Sequence, residues 1–538
     1  MTWARATSAR AISWLLGLLA ALAPHPGWAY DPATTHAGLT QRAALASGLH
    51  VVLAKRLGRP LGLFEPISFA SHLLPGNEGR LLAARLAALD PAGGYRPGDD
   101  GVASSVAWLV AGSVIAWTPA ERAQNSFLDP VRGHGLRQSG GAGDFTQSVR
   151  ALLDGGSLRG WATGTDFAFD GPASTDWLQS PHNDVGLPVF FDQLELAVAG
   201  ADRTARNTAL ARTLMALGGV LAVLQDAGEP AHVRNDFRGA FLRSGESGTP
   251  GPFNRGSAFE RFVSDSYGAG GVPAAGPPID RPTVLAFFTA ADAQGLADRT
   301  QRRFFSDGTL PEDGVVDRGT TPQEILHAAR KSLPFGLPSL PRLELRQLGR
   351  KQYVCAVGEE RQGRLVLTSR SAAVAPARAR AGAATAPATG GDGPRAPEPA
   401  LRRLLAYQRV PGRVRFFLDR AVYEDTARAL LPEIGAFGAG LIDHLLRGEV
   451  TIKVEGATAR LSVTGARGAP RDGKLRLYAE DAVGLRREIG SWPATALAGG
   501  QEISAAVPAG TRLLAAILRG QDDAGVLLAP GEQAVPAK

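Results

Sequence analysis

The sequence predicts a mainly α fold, in which a large helical domain is followed by a small C-terminal β-sandwich. Apolar residues recur at three- and four-residue steps in residues 79–89, 103–117 and 206–225, as is typical of helices that bury one face. Residues 353–370 alternate between apolar and polar side chains across a glycine-containing turn, which predicts a β-hairpin. Short β-type runs separated by Gly, Pro and Asp fill residues 451–528 and predict the sandwich.

The N-terminal residues have the features of an export signal. Arg5 and Arg10 precede an apolar stretch at residues 11–23, and the small residues at 27–29 suit a signal-peptidase cleavage position. This stretch is shorter than the roughly 20 residues that a membrane-spanning helix needs, and no later apolar run is longer. We therefore expect an exported protein, periplasmic or extracellular, without a transmembrane segment.

The chain divides into segments by composition and pattern. Residues 371–400 are rich in Ala, Pro and Gly and have few large apolar side chains, which predicts a linker. The predicted segments are a signal peptide at 1–29, a helical domain at 30–345, a β-hairpin at 346–370, the linker at 371–400, a helical closing segment at 401–450 and a β-sandwich-like domain at 451–538.

Composition and motifs argue against several classes of protein. Arg supplies most of the positive charge behind the net charge of +7, but it is spread along the chain and indicates no nucleic-acid-binding stripe. Cys355 is the single cysteine, so the fold contains no intrachain disulfide. The sequence has no G-x-S-x-G, H-E-x-x-H or G-x-x-x-x-G-K-[ST] motif, so it does not favour a serine hydrolase, a zincin or a P-loop protein.

The stretch LGGVLAVLQDAGEPAHVRND at residues 217–236 combines an apolar helix with polar residues at its end. Asp226 ends the apolar run, Pro230 cannot donate to a bond in a helix interior, and His232 follows Asp226 by six residues. Carboxylate oxygen and imidazole nitrogen are ligands that Zn²⁺ binds at about 2.0–2.2 Å. Two interpretations follow: a metal site, or a helix end at which both side chains satisfy the local backbone and Arg234.

The pattern L-x-D-x-x-x-P-x-H after an apolar helix resembles the metal-binding helix of the zinc-dependent phospholipase C / P1 nuclease family. Members of that family are all-helical and hydrolyse phosphodiesters at a cluster of three zinc ions. The pattern T-H-x-x-x-T, with Thr35, His36 and Thr40, resembles the first helix of the family. Without the resemblance, His36 would be interpreted as a cap on a surface helix.

The resemblance implies an incomplete set of metal ligands. One zinc would be bound by His36, Asp226 and the α-amino group and carbonyl of Tyr30, the expected mature N-terminus. A second would be bound by His232 and Glu260, since Gly256 stands where the family has histidine. The ligand positions of the third are occupied by Trp117, Ser126 and Ala222.

Three functional hypotheses follow from the resemblance. The first is an exported phosphodiester hydrolase that binds one or two Zn²⁺ ions and acts on a phospholipid or a nucleic acid. The second is a catalytically inactive relative that serves as a binding or scaffold protein through its helical domain and β-sandwich. In the third, a nearby side chain replaces a missing ligand; the candidates are Asp129, His134 and His182.

Overall fold

The computed structural model describes the chain in several stretches. It contains 45% helix and 24% strand in four sheets, so the protein is mixed α/β, and the prediction of a mainly α fold with a single small β-sandwich was wrong. The predicted signal peptide and nearly all of the predicted linker lie outside the described residues. The described residues are 32–90, 94–118, 120–136, 171–236, 240, 256–311, 314–315, 321–332, 342–361, 364–367, 400–411 and 413–536.

The chain forms two compact units. The first contains Met1–Gln301 and Leu430–Lys538, and the second contains Arg302–Ala429. Helices of the first unit are α1 Ala37–Ala46, α2 Leu49–Arg56, α3 Glu78–Ala87, α4 Ser105–Ile115, α5 Ser174–Gln179, α6 Leu187–Ala199, α7 Arg203–Asp226, α8 Pro230–Val233, α9 Ala258–Tyr267, α10 Val284–Phe288 and α11 Leu296–Arg303, whose last two residues belong to the second unit.

Helix α7 is the centre of the first unit. Its N-cap is Asp202, whose side chain accepts a hydrogen bond from the Ala205 N–H and so satisfies a free donor of the first turn. Gly112 of α4 and Gly218 of α7 allow close approach, since a β-carbon on either would collide with the backbone of the other helix. Helix α7 is long and apolar enough to span a membrane, but 94% of its most apolar window is buried inside the structure, as in a core helix.

The C-terminal part of the first unit contains two antiparallel sheets with a common apolar core. Leu461, Leu475 and Leu518 are among its fully buried side chains, and strands β9 and β15 of the two sheets pack against each other. The three-stranded sheet has the order β13-β10-β9 and the four-stranded sheet the order β12-β11-β14-β15. The strands are β9 Glu449–Glu455, β10 Thr458–Thr464, β11 Arg471–Glu480, β12 Arg486–Pro493, β13 Ile503–Ala506, β14 Leu513–Asp522 and β15 Gly525–Ala534.

These sheets are bound to the helices by buried arginines. Arg486 donates to the carbonyl of Val198 in α6 at 2.7 Å and pairs with Glu532 at 2.6 Å. Arg206 of α7 pairs with Glu480 at 3.0 Å. The helical and C-terminal parts of this unit are therefore held together by charge-assisted hydrogen bonds as well as by packing.

The second unit contains an antiparallel sheet of six strands that the sequence patterns did not predict. Its order is β3-β8-β7-β5-β4, and β6 pairs with the end of β5. Within the predicted hairpin segment, β5 and β6 pair antiparallel and are part of this larger sheet. Residues 400–410 and 413–417 form strands where a helical segment was predicted. The elements are β3 Gly314–Val315, β4 Arg342–Leu348, β5 Lys351–Arg361, β6 Arg364–Leu367, β7 Ala400–Val410, β8 Arg413–Phe417, and the helices α12 Pro322–Lys331 and α13 Arg420–Leu445, which continues into the first unit.

The remaining sheet is small. Strands β1 Pro66–Ser68 and β2 Val102–Ser104 pair antiparallel next to α4, whose first turn is capped by the Ser104 hydroxyl. The Trp108 indole N–H donates to the carbonyl of Ile67 at 2.9 Å. This ladder fixes the start of α4, whose far end leads to Trp117.

Candidate metal centre

The end of α7 and the short helix α8 present three ionisable side chains. Asp226 is the last residue of α7, and Glu229 is the N-cap of α8, where its carboxylate accepts a hydrogen bond from the His232 backbone N–H at 2.9 Å. Pro230 occupies the first helical position, where its fixed φ is favourable and a backbone N–H is not needed. The kink between the helices therefore places Asp226, Glu229 and His232 in one buried region.

His36 lies beside Asp226. It ends the turn Pro32–His36, it is fully buried, and its Nε2 lies 3.3 Å from Asp226 Oδ1, so it is not a surface cap. Its Nδ1 donates to Gln225 Oε1 at 2.5 Å, while Gln225 Nε2 donates to the Thr40 hydroxyl at 2.8 Å. A donor at Nδ1 leaves the Nε2 lone pair for a proton or a metal, which is how metal-binding histidines are usually oriented.

His232 and Glu260 form the second pair. His232 Nε2 lies 3.5 Å from Glu260 Oε1, and the His232 ring stacks on Phe127 with 4.4 Å between the ring centres. Glu260 is fixed by a capping box at the start of α9, in which the Ser257 hydroxyl accepts from the Glu260 N–H and Glu260 Oε2 accepts from the Ser257 N–H. Two ligands of one tetrahedral zinc lie about 3.4 Å apart when each bond is about 2.1 Å, so the spacing of both pairs suits a shared ion.

Glu229 joins His232 and Glu260, and sequence reasoning missed it. Its Oε1 accepts a hydrogen bond from the Ser257 hydroxyl at 2.7 Å. One ligand atom each from Glu229, His232 and Glu260 lies within 4.8 Å of the others, the one such group among the described residues. The signal available in the sequence was an acidic residue directly before Pro230, between the two ligand positions that were recognised.

Burial dominates the electrostatics of the site. Loss of water raises the pKa of Asp226 to about 6, although the neighbouring His36 opposes this. Burial also raises the pKa of Glu229, and burial together with the charge of Glu229 raises the pKa of Glu260 well above its ordinary value. The same loss of water lowers the pKa of His232 to about 3, so its imidazole is neutral.

These groups suit a bound cation. In the described part of the chain, both oxygens of Asp226 and Glu260 Oε1 are buried and make no hydrogen bond within the protein. Such groups are costly to bury without compensation, and a divalent metal would supply it. Carboxylate oxygen and neutral imidazole are also the donor types that Zn²⁺ binds.

The positions where the resemblance expects further ligands are buried and hold non-ligating side chains. The Trp117 indole faces Asp226 but lies outside good hydrogen-bond geometry, and Ala222 lies one turn before Asp226 on α7. The backbone of Ser126 hydrogen-bonds to the His232 ring, and Gly256 has a φ of 76°. Tyr30 lies outside the described residues.

The proposed replacement ligands do not join this group. Asp129 accepts from the Val131 and Arg132 N–H groups and from Gln301, so its carboxylate stabilises a turn. His134 bonds through Nδ1 to the carbonyl of Gly135, and His182 lies on an exposed loop.

No protein-family model, curated protein or solved structure matches this chain. The functional conclusion therefore rests on the chemistry of the buried site and on the residues that form it.

Proposed function

We propose that this is an exported zinc-binding protein of the phospholipase C / P1 nuclease kind whose metal cluster is incomplete. The observation that carries the proposal is the pairing of His36 with Asp226 and of His232 with Glu260, at 3.3 and 3.5 Å, inside one buried site. These are the pairs that would share an ion in that family. Burying each of these four ionisable side chains without a partner costs free energy. An arrangement of this kind is therefore not expected by chance.

The residues of the site have separate tasks in this proposal. The Gln225–His36 hydrogen bond orients Nε2 toward Asp226, and the Phe127 stack and the Ser126 backbone hold the His232 ring. A carboxylate would bind the ion as the deprotonated anion, and the charge of the metal would compensate the charge that is otherwise costly to bury. A bound Zn²⁺ would supply Lewis acidity to a substrate oxygen or lower the pKa of a water.

We expect phosphodiester hydrolysis to be weak or absent. Trp117, Ser126 and Ala222 offer no ligand for a third ion, and a lost Lewis-acid ion removes several kcal/mol of transition-state stabilisation. In a catalytically inactive protein, the metal would serve mainly to stabilise the helical part of the first unit, which would act as a binding or scaffold module.

Elemental analysis of the secreted protein, sequenced to verify that it begins at Tyr30, tests the proposal. We expect one or two zinc ions per chain, and fewer in His36→Ala and Asp226→Asn. His182→Ala, on an exposed loop, is the matched control and should retain the wild-type zinc content. A wild-type chain without zinc after purification in zinc-containing buffer would overturn the proposal, and so would a chain with three.

A zinc-dependent phosphodiesterase is the second candidate. The same two pairs favour it, because they would retain ligands for two of the family's three ions. Assays with phospholipid vesicles, an oligonucleotide and bis-p-nitrophenyl phosphate distinguish the candidates. Turnover that is lost on chelation and in His232→Ala would favour the hydrolase over the scaffold.

A further inference from the structure

We propose that Glu229 is a protein ligand of the ion at His232 and Glu260 and replaces a side chain that position 256 does not supply. This inference rests on the proposed zinc-binding function and goes beyond it, since the resemblance assigns no role to Glu229. It raises the number of protein ligands at this ion from two to three.

The backbone at Gly256 explains why a ligand is missing there. Its φ of 76° lies in the left-handed region, in which a residue with a β-carbon is strained by roughly 1–2 kcal/mol. The next residue, Ser257, is fixed in extended geometry as the N-cap of α9, and its capping box with Glu260 holds the chain in place. A histidine at 256 would have to disturb the same turn that positions Glu260.

Glu229 reaches this point from the opposite segment. Its carboxylate accepts from the Ser257 hydroxyl with one oxygen and from the His232 N–H with the other, so it bridges the two segments that carry the other ligands. All three ligand atoms lie within 4.8 Å of one another, and shifts of about 1 Å would bring them to the spacing of a tetrahedral zinc site. The three side chains are buried, with 1–2% of their surface exposed.

The donor set is balanced for a divalent ion. Two carboxylates neutralise the two charges of Zn²⁺, and the neutral His232 imidazole supplies the third bond. Three protein ligands are the number found in open zinc sites, where a water takes the fourth position. With only His232 and Glu260 the ion would keep an uncompensated charge in a buried site.

Zinc titration of the metal-free mature protein, with affinity and stoichiometry read by competition against a chromophoric chelator, tests the role of Glu229. Glu229→Gln keeps the size and the carbonyl acceptor of the side chain but removes its negative charge. We expect the wild type to bind two ions and Glu229→Gln to bind the second at least about 10-fold more weakly, while the ion at His36 and Asp226 is unchanged. Glu502→Gln, at an exposed strand end, is the control.

The outcomes separate this inference from the proposed function. Two ions of unchanged affinity in Glu229→Gln would overturn the role of Glu229 and leave the zinc function standing, whereas a wild type without zinc would remove both. If Glu229→Gln fails to fold, Glu229→Asp loaded with Co²⁺ provides a second measurement. A visible cobalt spectrum that differs from the wild type supports ligation by residue 229, and an identical spectrum overturns it.

Discussion

Two groups of buried carboxylates in the first unit differ in how their charge is compensated. Asp522, at the end of β14, is fully buried and receives two hydrogen bonds from Arg447, at 2.6 and 3.2 Å, together with the N–H groups of Arg467 and Ala524. Burial alone would raise its pKa, but these donors outweigh burial and the pKa is lowered. At the candidate site, the pKa values of Asp226 and Glu260 are raised.

This contrast distinguishes a structural carboxylate from a candidate metal ligand. Asp522 is stable as an anion because the fold supplies a guanidinium and backbone donors. The charges that act on Asp226, Glu229 and Glu260 within the described residues come from His36 and from other carboxylates. A cation from outside the chain would therefore supply the compensation that these carboxylates lack.

The largest effect is expected when the ion pair of Asp522 and Arg447 is removed. Asp522→Ala should lower the free energy of unfolding by about 3–5 kcal/mol, because Arg447 would remain buried without its anion. Urea denaturation followed by tryptophan fluorescence measures the loss. Asp523→Ala, at the neighbouring exposed residue, removes only a surface pair with Arg471 and should cost less than about 1 kcal/mol. Equal losses of unfolding free energy in Asp522→Ala and Asp523→Ala would contradict the structural role of Asp522.

The next largest effect is expected at Asp226, whose buried charge has no guanidinium partner among the described residues. Zinc at a hundred times its dissociation constant should stabilise the wild type by about 2.7 kcal/mol, seen as a rise in Tm that chelation reverses. In Asp226→Asn most of this rise should disappear, while the metal-free stability changes by less than about 1 kcal/mol, since the buried anion has no strong cationic partner to lose. A metal-free Asp226→Asn that loses as much as Asp522→Ala would show that both carboxylates are structural.

A comparable effect concerns a buried histidine away from the site. His444 of α13 packs edge-on against Phe287, and burial, with Arg447 next in importance, lowers its pKa to about 4. Because the unfolded chain binds a proton near pH 6.5 and the folded chain near pH 4, stability should be lost as the pH falls through this window, by about 3 kcal/mol.

Urea denaturation from pH 7 to pH 4 measures this contribution. His444→Phe, which cannot be protonated, should lose about 3 kcal/mol less than the wild type over that range. His182→Gln, on the exposed loop, should follow the wild type. An unchanged pH dependence in His444→Phe would contradict the assigned role of burial.

The smallest effect is expected from a substitution at Gly256. Gly256→Ala should destabilise the protein by about 1 kcal/mol, because alanine is strained at a φ of 76°. Gly76→Ala, also at a left-handed φ and with open space around its β-carbon, measures the backbone strain alone. A stabilising Gly256→Ala would contradict the account of why no ligand occurs at this position.

Local sequence patterns were sufficient to predict the helix that leads into the candidate site. Helix α7 was expected at residues 206–225 and occurs at Arg203–Asp226, because its apolar repeat and terminal Asp226 are properties of neighbouring residues. The capping box of Ser257 and Glu260, which the structure shows, is also formed within one turn. Local signals of this kind act whatever the rest of the chain does.

Strand pairing and contacts between distant side chains could not be predicted from local patterns. Strand β7 lies between β5 and β8 in the sheet, and β5 is distant in sequence. Because that partner is not visible in the neighbouring residues, the alternation of β7 could not be distinguished from a helical pattern. Glu229 is an N-cap by its local sequence, and it becomes a candidate ligand only because α9 brings Ser257 and Glu260 against it. Pairing and burial depend on contacts across hundreds of residues, and the pKa values of the buried carboxylates follow from that burial.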